Sequence, residues 1–232
     1  AENPITPDKV ALGRKLFFDR RLSPNNTMSC AMCHVPEQGF TAHELATPVG
    51  MEGRSVRRNA PTVLNAGFQR RLFHDGREVS LEDQVWGPLL APNEMGNPSI
   101  GFVVERIRGL RDYAGLFEAA FGGRPASSER IGAALAAYER TLIAGDSRFD
   151  RWRFGGDAAA LSDVERRGFE LFVGKARCAA CHLVGERDTL FTDHRFHNTG
   201  IGWRQTYAVP ARTRVEIAPG VFAELERKTV ES

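Results

Sequence analysis

Cys30-Ala31-Met32-Cys33-His34 and Cys178-Ala179-Ala180-Cys181-His182 decide the reading of this 232-residue chain. In each pentad two cysteines three positions apart fall on one side of a helical turn, and the histidine that follows is carried beneath whatever the thiols hold. This is the spacing of c-type haem attachment, in which two thiols add to the vinyl groups and the imidazole reaches the iron from the proximal face. Two other readings use some of the same residues. A thioredoxin-like dithiol explains Cys-x-x-Cys but gives the histidine no part. A four-thiolate zinc site usually joins cysteine pairs roughly 15–20 residues apart, whereas these pairs lie at 30–33 and 178–181. Haem is the reading that employs all six residues. These are the chain's only four cysteines, so none is left for a disulfide framework.

Outward from the pentads the sequence repeats itself. Residues 8–19 read Asp-Lys-Val-Ala-Leu-Gly-Arg-Lys-Leu-Phe-Phe-Asp before Cys30, and residues 163–174 read Asp-Val-Glu-Arg-Arg-Gly-Phe-Glu-Leu-Phe-Val-Gly before Cys178. Each is an amphipathic helix with a start signal, Thr6-Pro7 in one case and Ser162-Asp163 in the other. A helix followed by a haem-binding turn, used twice, predicts a mainly α fold of two cytochrome c-like haem domains related by internal duplication. The domains are placed at 1–145 and 160–232, with the boundary in the stretch 145–160. Ser80-Leu81-Glu82-Asp83 opens a further helix, and helical periodicity runs over 112–121 and 127–143. Stretches 44–62 and 91–99, rich in Pro, Gly and Asn, read as loops. No strand alternation is visible before about residue 207.

Composition excludes other classes. A formal charge of +2, from 31 basic and 29 acidic residues, advertises neither a nucleic acid nor an anionic membrane as partner. No apolar run approaches the roughly 18 residues of a membrane span. The opening Ala1-Glu2-Asn3-Pro4 carries no signal features, so any secretory signal is expected outside this numbering.

Several motifs in order resemble the bacterial dihaem cytochrome c peroxidases and their MauG branch. They are Leu-Gly-Arg-Lys-Leu-Phe-Phe-Asp (12–19), Arg-Arg-Asn-Ala-Pro-Thr (57–62), Asp-Gly-Arg (75–77) and Leu-Glu-Asp-Gln (81–84). Gly87-Pro88, Asn93-Glu94-Met95-Gly96 and Phe-Thr-Asp-His-Arg-Phe-His-Asn-Thr-Gly (191–200) complete the series, the last being closer to the MauG branch. The resemblance implies two c-type haems bound through Cys30, Cys33, Cys178 and Cys181, with His34 and His182 as axial ligands. It makes the N-terminal haem the peroxide-reacting one, with Glu94 as distal acid/base and Gln84 as distal hydrogen-bonding partner. It makes the C-terminal haem the one that handles electrons. Asn59 matches a residue that contributes to a calcium site, a role suited to its oxygen; capping of its own turn is the plain alternative.

The sequence departs from the family in three places. Where the family has an inter-haem tryptophan relay before Asp-Gly-Arg, this chain has His74, and Trp86 is the candidate substitute. The loop after the first pentad offers His43 and Met51, neither in the place of the family's closing histidine, so an open distal position is expected at the haem of His34. After His182 only residues 183–232 follow. The portion that supplies the second distal ligand in the family is therefore expected outside this sequence, since Tyr207 lacks the matching context; His194 and His197 are expected to hydrogen-bond around the second haem, with ligation by one of them as the alternative.

The resemblance implies a periplasmic enzyme that reacts with hydrogen peroxide and exchanges electrons with a small cytochrome c or cupredoxin. The MauG-like alternative holds a bis-Fe(IV) state and oxidises tryptophan or other residues of a partner protein. A dihaem electron carrier without catalysis is the rival from another class, and it would leave Gln84 and Glu94 without a role.

Overall fold

The computed structural model describes residues 3–201 and 212–226. It is mainly helical. In chain order the described helices are α1 (Pro7–Phe18), α2 (Leu81–Gln84), α3 (Trp86–Leu90), α4 (Ile100–Gly109), α5 (Leu116–Ala120), α6 (Ser128–Glu139), α7 (Arg148–Arg153) and α8 (Asp163–Val173). Residues up to His194 pack as one compact unit and those from Arg195 as a second. Within the second lies an antiparallel hairpin of β1 (Arg212–Ala218) and β2 (Val221–Glu226), paired from Arg212↔Glu226 to Ala218↔Val221. Tyr207 lies outside the described residues.

The first unit is organised around α1 packed on α6. Thr6 caps α1 by accepting the Lys9 N–H, and Pro7 takes the first helical position, where its missing N–H costs nothing. The inward stripe Leu12, Leu16 and Phe17 meets Ile131, Ala134, Leu135 and Tyr138, all buried. Each large side chain so removed from water contributes about 1.5–3 kcal/mol. Gly13 stands at the crossing, where a Cβ would collide with the Ala134 carbonyl. Close backbone approach is therefore what the glycine provides. Gly132 plays the same part against the Glu82 carbonyl, which brings α2 onto α6. Glu82 also pairs with Arg140 at 2.6 and 2.9 Å and accepts from Asn3 Nδ2 at 2.8 Å, pinning the N-terminal segment.

Local chemistry explains where the helices depart from the sequence expectation. The run expected over 127–143 ends at Glu139, because the Thr141 hydroxyl takes the Tyr138 carbonyl and tight N–H bonds from Thr141 and Leu142 follow. The run over 112–121 breaks at Gly115 (φ +77°), leaving a short turn Arg111–Tyr113 and then α5. Helix α4, capped by Ser99, had no counterpart in the sequence reading. Neither had α7, whose Ser147–Asp150 capping box lies inside the stretch read as a boundary. No helix among the described residues is long and apolar enough to cross a membrane.

Glu139 closes α6 in the buried core beside the first pentad, and burial pushes its carboxyl up to about 8. The folded chain therefore holds a proton that the unfolded chain has released above its ordinary value near 4.5. Stability should fall as pH rises from about 4.5 to about 8, with a slope of up to roughly 1.4 kcal/mol per pH unit. Denaturant titrations across that range should show the slope, and Glu139→Gln should flatten it.

Candidate haem sites

The two pentads adopt one local geometry. Cys30–Met32 and Cys178–Ala180 each form a 3-10 turn, closed by Cys33 N–H on the Cys30 carbonyl and by Cys181 N–H on the Cys178 carbonyl, both at 3.2 Å. The following histidine N–H returns to the first cysteine's carbonyl at 2.9 Å in each. Both thiols thus sit on one turn and the imidazole leaves at its end.

Each imidazole is then fixed by a carbonyl from an unusual residue. His34 Nδ1 lies 3.1 Å from the Phe40 carbonyl, and His182 Nδ1 lies 2.9 Å from the Phe191 carbonyl. A carbonyl can only accept, so Nδ1 carries the hydrogen in both rings and Nε2 keeps its lone pair, the tautomer a metal requires. Phe40 (φ +58°) and Phe191 (φ +52°) are left-handed, a conformation rare for bulky side chains. The preceding helix supplies the other wall: Phe17 of α1 lies 6.4 Å from the His34 ring and 6.2 Å from Phe40. Phe172 of α8 lies 6.2 Å from the His182 ring and 5.8 Å from Phe191.

The surroundings suit a flat apolar cofactor. Beside His182 a crevice of about 400 Å³ is lined by Phe149, Gly168, Phe169, Phe172 and Phe191. Elsewhere in the same segment His194 Nδ1 is buried with no hydrogen-bond partner among the described residues. At the first pentad, burial pushes the Cys30 thiol up to about 12 and Cys33 up to about 11. A dithiol redox centre works through a lowered thiol pKa, so the thioredoxin-like reading loses its chemistry here. Burial also lowers the His34 pKa, against the opposing pull of the Phe40 and Pro61 carbonyls. No three Cys, His, Asp or Glu side chains among the described residues, which include all four cysteines, converge as a metal cluster.

The remaining candidates divide into those brought near the first pentad and those set apart. Glu94 is half-buried in the loop after α3; burial raises its carboxyl pKa, Arg77 opposes the rise, and its charge is felt at the Cys33 thiol. Gln84 ends α2, partly buried, and among the described residues no hydrogen bond joins it to Glu94. Trp86 opens α3 and packs on the core. His74 is exposed, its Nε2 2.9 Å from the Asn59 carbonyl. Asn59 donates to the Ala42 carbonyl of the loop after the first pentad at 2.7 Å and accepts the neighbouring Ala60 N–H at 2.9 Å. His43 lies on the exposed surface of its loop. The sequence reading missed Glu139 and Phe40; a buried carboxyl and a left-handed phenylalanine leave no motif.

Comparison with known proteins agrees with this geometry. The family model described as di-haem cytochrome c peroxidase matches residues 7–159. The chain is 46% identical over 200 residues to the methylamine utilization protein MauG of Methylorubrum extorquens, covering 86% of this chain and 55% of that one. It is 37% identical over 183 residues to the cytochrome c551 peroxidase of Nitrosomonas europaea, covering 78% and 53%. Among solved structures, a MauG-like protein associated with microbial copper homeostasis superposes with a TM-score of 0.72 at 36% identity, covering 84% and 57%. The diheme peroxidase BthA of Burkholderia thailandensis does so with 0.72 at 30% identity, covering 83% and 54%. The chain spans about half the length of the curated relatives it matches. With a matching family model over most of its length and the paired pentads in place, the chain belongs to the di-haem cytochrome c peroxidase family.

Proposed function

We propose that this chain is the haem-carrying part of a periplasmic enzyme that consumes hydrogen peroxide at its first pentad and passes electrons through its second. The observation that carries the proposal is Glu94, a half-buried carboxyl with a raised pKa whose charge reaches the Cys33 thiol. A haem bound at each pentad would supply the iron and its redox chemistry. Cys30, Cys33, Cys178 and Cys181 hold the groups covalently, and His34 and His182 provide Nε2 as axial ligands.

The protein's own work is proton handling and orientation. In its carboxylate form Glu94 accepts the proton of incoming peroxide and returns it to the departing oxygen, so that water leaves. Partial burial keeps that carboxyl's proton affinity nearer to neutral pH than an exposed glutamate's. Gln84 serves as the hydrogen-bonding partner on the same side. The Phe40 and Phe191 carbonyls orient the two imidazoles and make them more basic ligands. The matched turns, carbonyls and phenylalanines around His34 and His182 support two duplicated halves, 1–145 and 160–232. His74 or Trp86 carries electrons between them, and a calcium ion at the Asn59 loop belongs to the same reading. The periplasmic address follows from covalent haem attachment on the outer side of the bacterial inner membrane.

The partner is a small cytochrome c or cupredoxin in a peroxidase, or a protein whose residues are oxidised in a MauG-like enzyme. The second outcome gains weight from the 46% identity to a MauG, against 37% to the cytochrome c551 peroxidase. His74 at the usual relay position points the same way.

Glu94→Gln should slow the reaction of the haem-loaded protein with peroxide by about a hundredfold or more; stopped-flow rates equal to those of the unaltered protein would remove Glu94 from the chemistry. An EPR spectrum of the oxidised resting protein should contain one high-spin haem at the His34 site, whereas two low-spin signals would favour the electron carrier. Peroxide turnover supported by reduced cytochrome c would mark a peroxidase, and its absence alongside oxidation of partner tryptophan would mark the MauG-like branch.

A further inference from the structure

The hairpin 48–56 packs directly against the loop that carries Glu94. It is closed by the Val49–Ser55 bridge and by Gly50 N–H on the Arg54 carbonyl at 2.8 Å, with Glu52 (φ +58°) and Gly53 (φ +74°) turning its tip. From it the Met51 N–H donates to the Glu94 carbonyl itself at 2.8 Å. Arg54 Nη1 reaches the Pro92 carbonyl at 3.4 Å, and Asn93 Nδ2 reaches the Ser55 carbonyl at 3.5 Å. The Met51 side chain lies over Gly96, where a Cβ would strike its terminal methyl. Gly50 lies against the backbone of Asn93 and Glu94 so closely that a Cβ would collide with the Asn93 carbonyl and crowd the Glu94 Cα at 2.9 Å.

The far side of the loop is held independently. Glu94 and Gly96 donate to the Ala91 carbonyl at 2.9 and 3.0 Å, and buried Asn97 donates to Leu22 and Leu89 at 2.8 Å each. The acid-bearing residue therefore sits between a core-anchored turn and a hairpin that touches its main chain.

We propose that Gly50 and Met51 are positioning residues for Glu94: the hairpin clamps the main chain of residues 93–96 and so sets where the Glu94 carboxyl stands. This rests on the reading of Glu94 as the proton-handling residue. Acid placement tolerates little error, since general acid–base catalysis depends on hydrogen-bond reach to the proton transferred. Any side chain at position 50 must push the hairpin and residues 93–94 apart.

The test is a double-mutant cycle on the haem-loaded protein with Gly50→Ala, Glu94→Gln and the pair. Two readouts are followed across pH: the stopped-flow rate with peroxide, and the rate of cyanide binding to the ferric protein, where hydrogen cyanide must give up its proton to a nearby base. Gly50→Ala is expected to slow both at least tenfold and displace the pH profile when Glu94 is present, and to change neither when Gln stands at 94. Met51→Ala, which keeps the N–H but removes the packing on Gly96, should give a smaller effect of the same kind and serves if Gly50→Ala does not fold. A full Glu94→Gln effect with unaltered rates and pH profile in both hairpin variants would overturn the clamp. Equal slowing by the hairpin variants with and without Glu94 would also overturn it. Loss of any Glu94→Gln effect would instead overturn the reading of Glu94 on which the clamp rests.

Discussion

The rest of the arrangement depends on the hydrogen bond from a histidine Nδ1 to the carbonyl of a left-handed phenylalanine. It fixes the tautomer, so that Nε2 is the free donor, and it fixes the plane of the ring. It also dictates the local chain path. The residue that offers the carbonyl turns with positive φ, and both Phe40 and Phe191 adopt that conformation while packing edge-on against a phenylalanine of the helix before the pentad. A left-handed phenylalanine is held only where its surroundings over-determine it. Here the helix phenylalanine, the histidine and the turn phenylalanine make one packed trio, and it occurs twice.

Much of this was legible in the sequence, and for identifiable reasons. The pentads are contiguous and their spacing is set by a single helical turn, so reading them requires no tertiary information. The helix starts at Thr6 and Ser162 were readable because capping is local chemistry, and both caps are formed. The ends were harder. Nothing in residues 127–143 announces that Thr141 will turn its hydroxyl back onto the Tyr138 carbonyl and stop α6. Glu94 was visible only through family resemblance, because its burial depends on a hairpin some forty residues earlier in the chain. Glu139 lay in a helix whose periodicity was recognised, but a carboxylate on the buried face looks like any other helical glutamate until α1 is packed against it.

The same local motif sits in two different environments. At the first pentad, α6 crosses α1 at Gly13, both cysteines and His34 are partly buried, and the acidic side chains Glu94 and Glu139 influence the cysteines. At the second, the equivalent Gly168 of α8 meets no atom within 4 Å among the described residues, Val164 and Leu171 are 69% and 54% exposed, and His182 is exposed. Low dielectric strengthens every charge that acts on a bound group, and nearby carboxylates give it protons to exchange. The crevice beside His182 is lined among the described residues by aromatic rings and Gly168. Division of labour therefore needs no difference in the pentads themselves. Among the described residues the two pentads already differ in how deeply their surroundings bury them. The hairpin 48–56 and the Glu94 loop belong to that first environment, since the Met51 N–H holds the Glu94 carbonyl and Gly50 lies against residues 93 and 94.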